Sequence, residues 1–182
     1  MSKFLFLVAS SREPGQLGNT EWLARQAAGK LPTSVEQRWI YLAQLQLPPF
    51  TDLRHTTACY PLPEGDLRLL LDATLECSDL VLVQPLYWFS IPATTKLYLD
   101  HWTAWLRIPA VPFKEQMRGK RLHLVSTGGE RAKAQPMIDS VRLCADFMAM
   151  NFVGVLWGKG GAPGAVEQDA EACQAAQRFF LA

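Results

Sequence analysis

Leu80-Val81-Leu82-Val83-Gln84-Pro85-Leu86-Tyr87-Trp88-Phe89-Ser90-Ile91-Pro92-Ala93 decides the fold of this chain. It begins as a continuous apolar run and ends at the start of a helix-like segment that reaches Leu106. A short apolar run without polar alternation is the pattern of a strand covered on both faces of a parallel sheet. Four similar runs lie elsewhere: Phe4 to Val8, Trp39 to Leu42, Leu122 to Val125 and Phe152 to Trp157. Helical stripes separate them. Leu23, Ala24, Ala27, Ala28 and Leu31 form one, and Leu67, Leu70, Leu71 and Thr74 a second. Met137, Val141, Cys144, Ala145 and Met148 form a third, and Val166, Ala170, Cys173 and Phe180 a last helix.

Strands alternating with helices imply βαβ units with right-handed crossovers and helices on both sheet faces. The expected fold class is therefore α/β: a flavodoxin-like three-layer sandwich whose five-stranded parallel sheet has the order 2-1-3-4-5. Its ligand crevice lies beyond the C-terminal ends of strands 1 and 3. Residues 1–182 are expected to form one domain, burying roughly 70% of the surface of the unfolded chain.

Composition removes several functions. Lys and Arg total 18 against 17 Asp and Glu, a net charge of +1, which gives no electrostatic case for nucleic acid or an anionic membrane. Cys59, Cys77, Cys144 and Cys173 are far apart and contain no CxxC pair, so they are expected to be reduced thiols packed on helix faces rather than disulfides or metal ligands. The apolar run at Phe4 to Ala9 is too short for a signal peptide, being stopped by Ser10-Ser11-Arg12-Glu13-Pro14. No segment reaches the ~20 apolar residues of a membrane span. A soluble, cytoplasmic protein is expected.

Three loops follow strands 1, 3 and 4. The first, Ser10 to Thr20, opens a helix whose free N–H groups and dipole make a phosphate seat. Ser10, Asn19 and Thr20 add polar donors, Arg12 adds a guanidinium, and Leu17-Gly18 leads into the helix. Neither GxxxxGK[ST] nor GxGxxG is present. Alone, the loop reads equally well as a surface turn with Asn19 or Thr20 as N-cap. Glu13 and Glu21 must point away from any bound dianion. In the second loop, Pro85 and Pro92 stiffen a shelf carrying Leu86, Tyr87, Trp88 and Phe89, suited to stacking a planar ring or to plugging an interface. The third, Ser126-Thr127-Gly128-Gly129, brings backbone close to a neighbour, either a ring edge or an ordinary turn. Together the loops form a candidate site for non-covalent FMN, in which backbone N–H groups tune the ring.

Two connections exceed a minimal fold. Gln44 to Gly65, with Pro48-Pro49 and Pro61-Leu62-Pro63, is long enough to overhang the site, and Arg107 to Lys120 is the other. The segment 93–106 is largely apolar and carries Tyr98, His101, Trp102 and Trp105. Burial on both sides would require the sheet and a second subunit, so a homodimer through 93–106 is expected. His101 reads as a core or interface residue rather than a catalytic one, and His55 and His123 carry no signal.

The run Pro85-Leu86-Tyr87-Trp88-Phe89-Ser90-Ile91-Pro92-Ala93, with Lys96 and Asp100, resembles the flavin-contacting segment of flavodoxin-like NAD(P)H:quinone reductases. NADPH-dependent FMN reductases carry a similar segment. Gly18-Asn19-Thr20 and Thr127-Gly128-Gly129 match the same group in the same order. The resemblance implies a dimer with flavin at the subunit interface and ping-pong chemistry, in which NAD(P)H delivers hydride to flavin N5 and a quinone-like small acceptor then takes the electrons. On that reading the flavin carries the chemistry, and no catalytic side chain or metal ligand is assigned. The chain is shorter than FAD-holding relatives, which favours FMN. Such quinone reductases carry a tyrosine and a histidine beyond the di-glycine loop, whereas Glu130 through Met150 contains neither and has Glu130, Arg131 and Lys133 in their place, leaving the acceptor open. By charge and position, Arg107, Arg131 and Lys133 are candidates for a 2′-phosphate. A flavodoxin-type electron carrier is the alternative, although such carriers tend to be strongly acidic.

Overall fold

A computed structural model describes residues 2–13 and 15–181; Pro14, part of the expected phosphate loop, lies outside them. Five parallel strands form one sheet: β1 (Lys3–Val8), β2 (Glu36–Tyr41), β3 (Asp79–Val83), β4 (Arg121–Gly128) and β5 (Asn151–Lys159), in the order β2-β1-β3-β4-β5. This is the flavodoxin-like arrangement expected from the apolar runs.

Register assigns the two faces. Phe4, Phe6, Val8, Val81, Val83, Val125 and Leu156 point to one side, where α1 (Asn19–Ala28) and α6 (Ala170–Ala176) cover them with Leu23, Ala24, Ala27 and Ala172. Leu5, Leu7, Leu80, Leu82, Leu122 and Leu124 point to the other, under α2 (Gly65–Glu76), α3 (Ala93–Trp105) and α5 (Gln135–Phe147). Each fully buried Leu, Val or Phe contributes about 1.5–3 kcal/mol, so this double coverage is the main force holding the sheet.

Coverage on both faces holds for β1, β3 and β4 but not at the edges. β2 begins three residues before the apolar run, with Glu36 and Gln37 exposed, and Leu42 already starts a 3-10 turn, Leu42–Gln44. β5 exposes Asn151 and Val153. An edge strand packs one flank only, so polar residues belong to it. Leu31 lies past the end of α1, and the last helix is also shorter than its stripe. Val166 sits in a 3-10 turn, Ala165–Gln168, and Asp169 interrupts the helix by accepting from the N–H groups of Lys159 (2.8 Å) and Ala172 (3.1 Å).

The 44–65 connection lies along α3. His101 Nε2 meets the Pro48 carbonyl at 2.9 Å, the Tyr60 N–H donates to the Arg107 carbonyl at 3.2 Å, and the Tyr60 hydroxyl accepts from the Leu53 N–H at 2.6 Å. His101 is thus a buried packing residue. Phe50, Tyr60, His101 and Trp105 enclose an apolar cavity of about 230 Å³ beneath this connection. The second connection contains a short helix, α4 (Phe113–Met117). Only part of the cysteine expectation matches the structure: Cys77 is buried, its thiol pushed up to about 11 by burial, whereas Cys59 is exposed on the 44–65 connection. No helix among the described residues is long and apolar enough to cross a membrane.

Candidate functional site

The C-terminal ends of β1, β3 and β4 open onto one cavity of about 340 Å³. Its first wall is the start of α1. Gly18 is the N-cap, extended at φ −89° and ψ 161°, and supplies no side-chain cap, so the backbone N–H groups of the first turn have no partner from that residue. A Cβ at Gly18 would stand 3.1 Å from Arg12 Cδ and Nε, so the glycine lets the Arg12 side chain lie against the helix start. Ser10, Arg12, Asn19 and Thr20 all line this wall.

Pro85, Leu86 and Tyr87 form the second wall. Beyond them the chain turns back at once: the Ser90 N–H donates to the Tyr87 carbonyl at 3.0 Å, and the Tyr87 N–H to the Ser90 carbonyl at 3.4 Å. Between these bonds, Trp88 at φ +47° and Phe89 at φ +61° are left-handed, the geometry of a tight hairpin turn that ordinarily takes Asn or Gly. Two aromatics held there cost of order 1–3 kcal/mol each, a local strain of the kind that clusters at ligand sites. The shelf therefore differs from expectation. Tyr87 lines the cavity, whereas Trp88, 92% exposed, and Phe89 stand exposed at the hairpin tip and do not line it.

Thr127, Gly128 and Gly129 make the third wall. The Leu86 N–H donates to the Thr127 carbonyl at 3.0 Å, locking the second loop to the third, and the hydroxyls of Thr20 and Thr127 meet at 2.5 Å, locking the first. The two glycines differ in purpose. A Cβ on Gly128 would lie 2.7 Å from the Trp157 ring and 3.1 Å from Leu86 Cβ, so packing demands that glycine, while Gly129 faces open space.

Three predicted residues join Trp88 and Phe89 in lying elsewhere or serving otherwise. Ser126 is fully buried and lines no part of the cavity. Leu17 borders a neighbouring cavity of about 470 Å³. Asn19 lines the wall, but its side-chain amide donates to the Ala162 carbonyl at 3.0 Å and so fastens the 160–166 segment instead of aiming at the cavity. That segment is what the sequence reading missed. Gly160 and Gly161 form a fourth wall, and the Gly160 N–H donates to the Gly128 carbonyl at 2.7 Å. The available signal was the run Gly158-Lys159-Gly160-Gly161 at the end of the fifth apolar run.

The two acids near the seat are both engaged. Glu13 accepts from the Gln16 amide at 3.2 Å, and Glu21 accepts from Arg25 at 2.8 Å and from the Tyr41 hydroxyl at 2.7 Å. Of the three 2′-phosphate candidates, Lys133 is paired with Glu130 at 2.7 Å, Arg107 donates to the Thr103 carbonyl at 3.1 Å, and Arg131 lies over the Trp157 ring at 5.9 Å. Among the described residues, no cluster of His, Cys, Asp and Glu could hold a metal ion.

The sequence profile described as NADPH-dependent FMN reductase matches residues 2–162. The chain belongs to that family. It is similar to a Bacillus subtilis (strain 168) protein named as an NAD(P)H-dependent FMN-containing oxidoreductase, YwqN, with 34% identity over 166 residues and 90% of each chain covered. Among solved structures it resembles the Trp repressor binding protein from Bacillus subtilis, with 28% identity, 97% of each chain covered and a TM-score of 0.74. An FMN-dependent NADH-azoreductase from Bacillus anthracis, solved with FMN, shares the fold at 14% identity, with 98% of this chain and 95% of that chain covered and a TM-score of 0.65. This member of the family is thus an NAD(P)H-dependent flavin oxidoreductase with FMN as its cofactor. The cavity suits FMN: uncapped helix N–H groups and Arg12 offer a phosphate seat, and Gly129 leaves its backbone open to a ring edge.

Proposed function

We propose that this FMN reductase passes electrons from NAD(P)H to a quinone-like small acceptor in a ping-pong cycle, with residues 1–182 acting as one flavin-binding domain. The joining of three sheet-end loops around a single cavity, in a chain of this family, carries the reading. Arg12, Ser10, Gly18, Thr20 and the first-turn N–H groups of α1 hold the phosphate, with Leu17 and Asn19 shaping and fastening the loop. Pro85, Leu86 and Tyr87 border the ring, Trp88 and Phe89 extend that border toward a partner subunit, and Thr127, Gly128 and Gly129 place backbone along its pyrimidine edge, with Ser126 buried behind them. FMN held there would supply the redox chemistry, hydride acceptance from the nicotinamide and electron release to the acceptor. The protein's part is to seat the phosphate, orient the ring and keep Glu13 and Glu21 away from it. A cytoplasmic location is supported by the nicotinamide donor and by four cysteines that form no disulfide.

Initial-rate kinetics with NADPH and a benzoquinone test the cycle. Parallel double-reciprocal lines are expected, together with anaerobic bleaching by NADPH alone that is faster than that of free FMN. Intersecting lines would remove the ping-pong order, and colour that persists after NADPH would point to the carrier alternative.

The homodimer is supported by an apolar groove of about 500 Å³ between α3 and α5, lined by Leu99, Trp102, Leu106, Leu143 and Phe147. Leu143 and Phe147 are 67% and 60% exposed, an apolar pair that water alone would cover poorly. The interface therefore includes α5 as well as 93–106. Leu143→Asp is expected to sediment as a monomer and to lose FMN on gel filtration; a variant that stays dimeric would move the interface elsewhere.

A further inference from the structure

We propose that Tyr41 and Arg25 form a latch that holds the Glu21 carboxylate off the phosphate seat and thereby sets the preference for FMN over riboflavin. The inference rests on the seat proposed above. With Gly18 as N-cap, Glu21 is the third residue of α1. From that position a glutamate ordinarily reaches back to the N-cap N–H, as in a capping box. Here such a reach would put a carboxylate on the donors an incoming phosphate needs, and its negative charge beside a dianion.

The structure turns Glu21 the other way. Its Oε1 accepts from Arg25 Nε at 2.8 Å and from the Tyr41 hydroxyl at 2.7 Å, and it lies 2.8 Å from Arg25 Nη2. Arg25 Nη2 also donates to the Tyr41 oxygen at 2.8 Å, closing the triangle. The guanidinium is fixed in turn by lying over the Trp39 ring at 4.3 Å, and that ring stacks on Phe6 in β1 at 4.1 Å and 5°. Glu21 is only 7% exposed, and a carboxylate so buried stays where its donors hold it. The latch spans α1 and β2, and the 470 Å³ cavity beside it shares Ser10, Arg12 and Glu21 with the flavin cavity. A released Glu21 side chain therefore has an open route to the seat. Tyr41 and Arg25 are positioning residues: they bond Glu21 and line no part of the flavin cavity.

The test compares dissociation constants for FMN and for riboflavin, read by quenching of flavin fluorescence on the full chain. Riboflavin lacks the phosphate, so it reports an intact ring site and an intact fold. Arg25→Met with Tyr41→Phe is expected to raise the FMN constant about tenfold while the riboflavin constant stays within about twofold. Tyr41→Phe alone, which removes one hydroxyl, is the milder variant and is expected to shift FMN about threefold. Adding Glu21→Gln to the double variant removes the repelling charge and is expected to restore the FMN preference. A ratio unmoved by the double variant, or not restored by Glu21→Gln, would overturn the latch. Arg12→Ala separates this from the seat itself. A wild type that prefers FMN, and loses that preference on Arg12→Ala but not on release of Glu21, overturns the latch alone. A wild type that binds both flavins equally and ignores Arg12→Ala overturns the seat and the latch with it.

Discussion

Asp79→Ala is expected to lower the unfolding free energy by about 3–5 kcal/mol, and with it the melting temperature by roughly 10 °C. Asp79 is the first residue of β3, in register with Phe4 on one side and Arg121 on the other, and no part of it reaches solvent. Its Oδ1 accepts from Arg121 Nε at 2.6 Å and from His123 Nε2 at 2.9 Å, and its Oδ2 from the Ser78 hydroxyl at 2.7 Å. His123 is itself buried among Phe4, Phe179 and Phe180. Alanine would leave its N–H without an acceptor in an apolar pocket, beside a ring nitrogen, Nδ1, that already has no partner. Burial pulls the Asp79 carboxyl upward, but the bonds from His123, Arg121 and Ser78 outweigh it and hold it below the ordinary carboxylate range. A depressed folded value places the stabilisation above the unfolded value of about 4 and removes it as pH falls through the folded one. The gap between wild type and Asp79→Asn in urea unfolding should therefore be widest near neutrality and narrow in acid below about pH 4. A gap that stays constant from neutrality to pH 3 would mean that the carboxylate charge is not what stabilises this end of the sheet.

That cluster illustrates where sequence reading ends. β1, β3 and β4 were legible because burial on both faces forces a continuous apolar run. The edge strand β2 starts three residues before its apolar run because Glu36 and Gln37, exposed at the sheet edge, can be polar. Asp79, Arg121 and His123 are scattered along the chain, and only the β3–β4 register makes them neighbours. The cavity walls at Ser10–Thr20, Pro85–Tyr87 and Thr127–Gly129 could be located because each follows a recognisable strand. What their side chains do could not be read in the same way. Asn19 looks like a donor until the 160–166 segment arrives to use it. Trp88 and Phe89 look like a shelf, yet both stand exposed on a left-handed turn, and no propensity argument places two aromatics at positive φ. The Glu21–Arg25–Tyr41 triangle combines a local helical pair with a residue from β2, so only half of it lies within reach of local spacing.

Gly160→Ala is expected to weaken FMN and riboflavin alike by about tenfold, and to lower stability by about 1–3 kcal/mol. Its Cβ would stand 3.0 Å from the Gly128 nitrogen, 3.2 Å from Gly128 Cα and 3.3 Å from the Thr127 carbonyl carbon, all backbone atoms that cannot rotate aside. The 160–162 segment is poorly placed to retreat, because the Gly160 N–H is bonded to the Gly128 carbonyl and the Asn19 amide holds the Ala162 carbonyl from the other side. The displacement must then pass into Thr127–Gly129, the wall assigned to the ring rather than to the phosphate. Loss should for that reason be common to both flavins, unlike the FMN-selective loss expected at Arg12 or on release of Glu21. Gly129→Ala isolates the ring contribution, because its Cβ meets nothing within 4 Å. Its stability should stay within about 0.5 kcal/mol of wild type, while affinity for both flavins falls if a ring edge approaches there. Full flavin affinity in Gly160→Ala and Gly129→Ala together would place the ring away from the di-glycine loop and leave Pro85–Tyr87 as the wall that holds it.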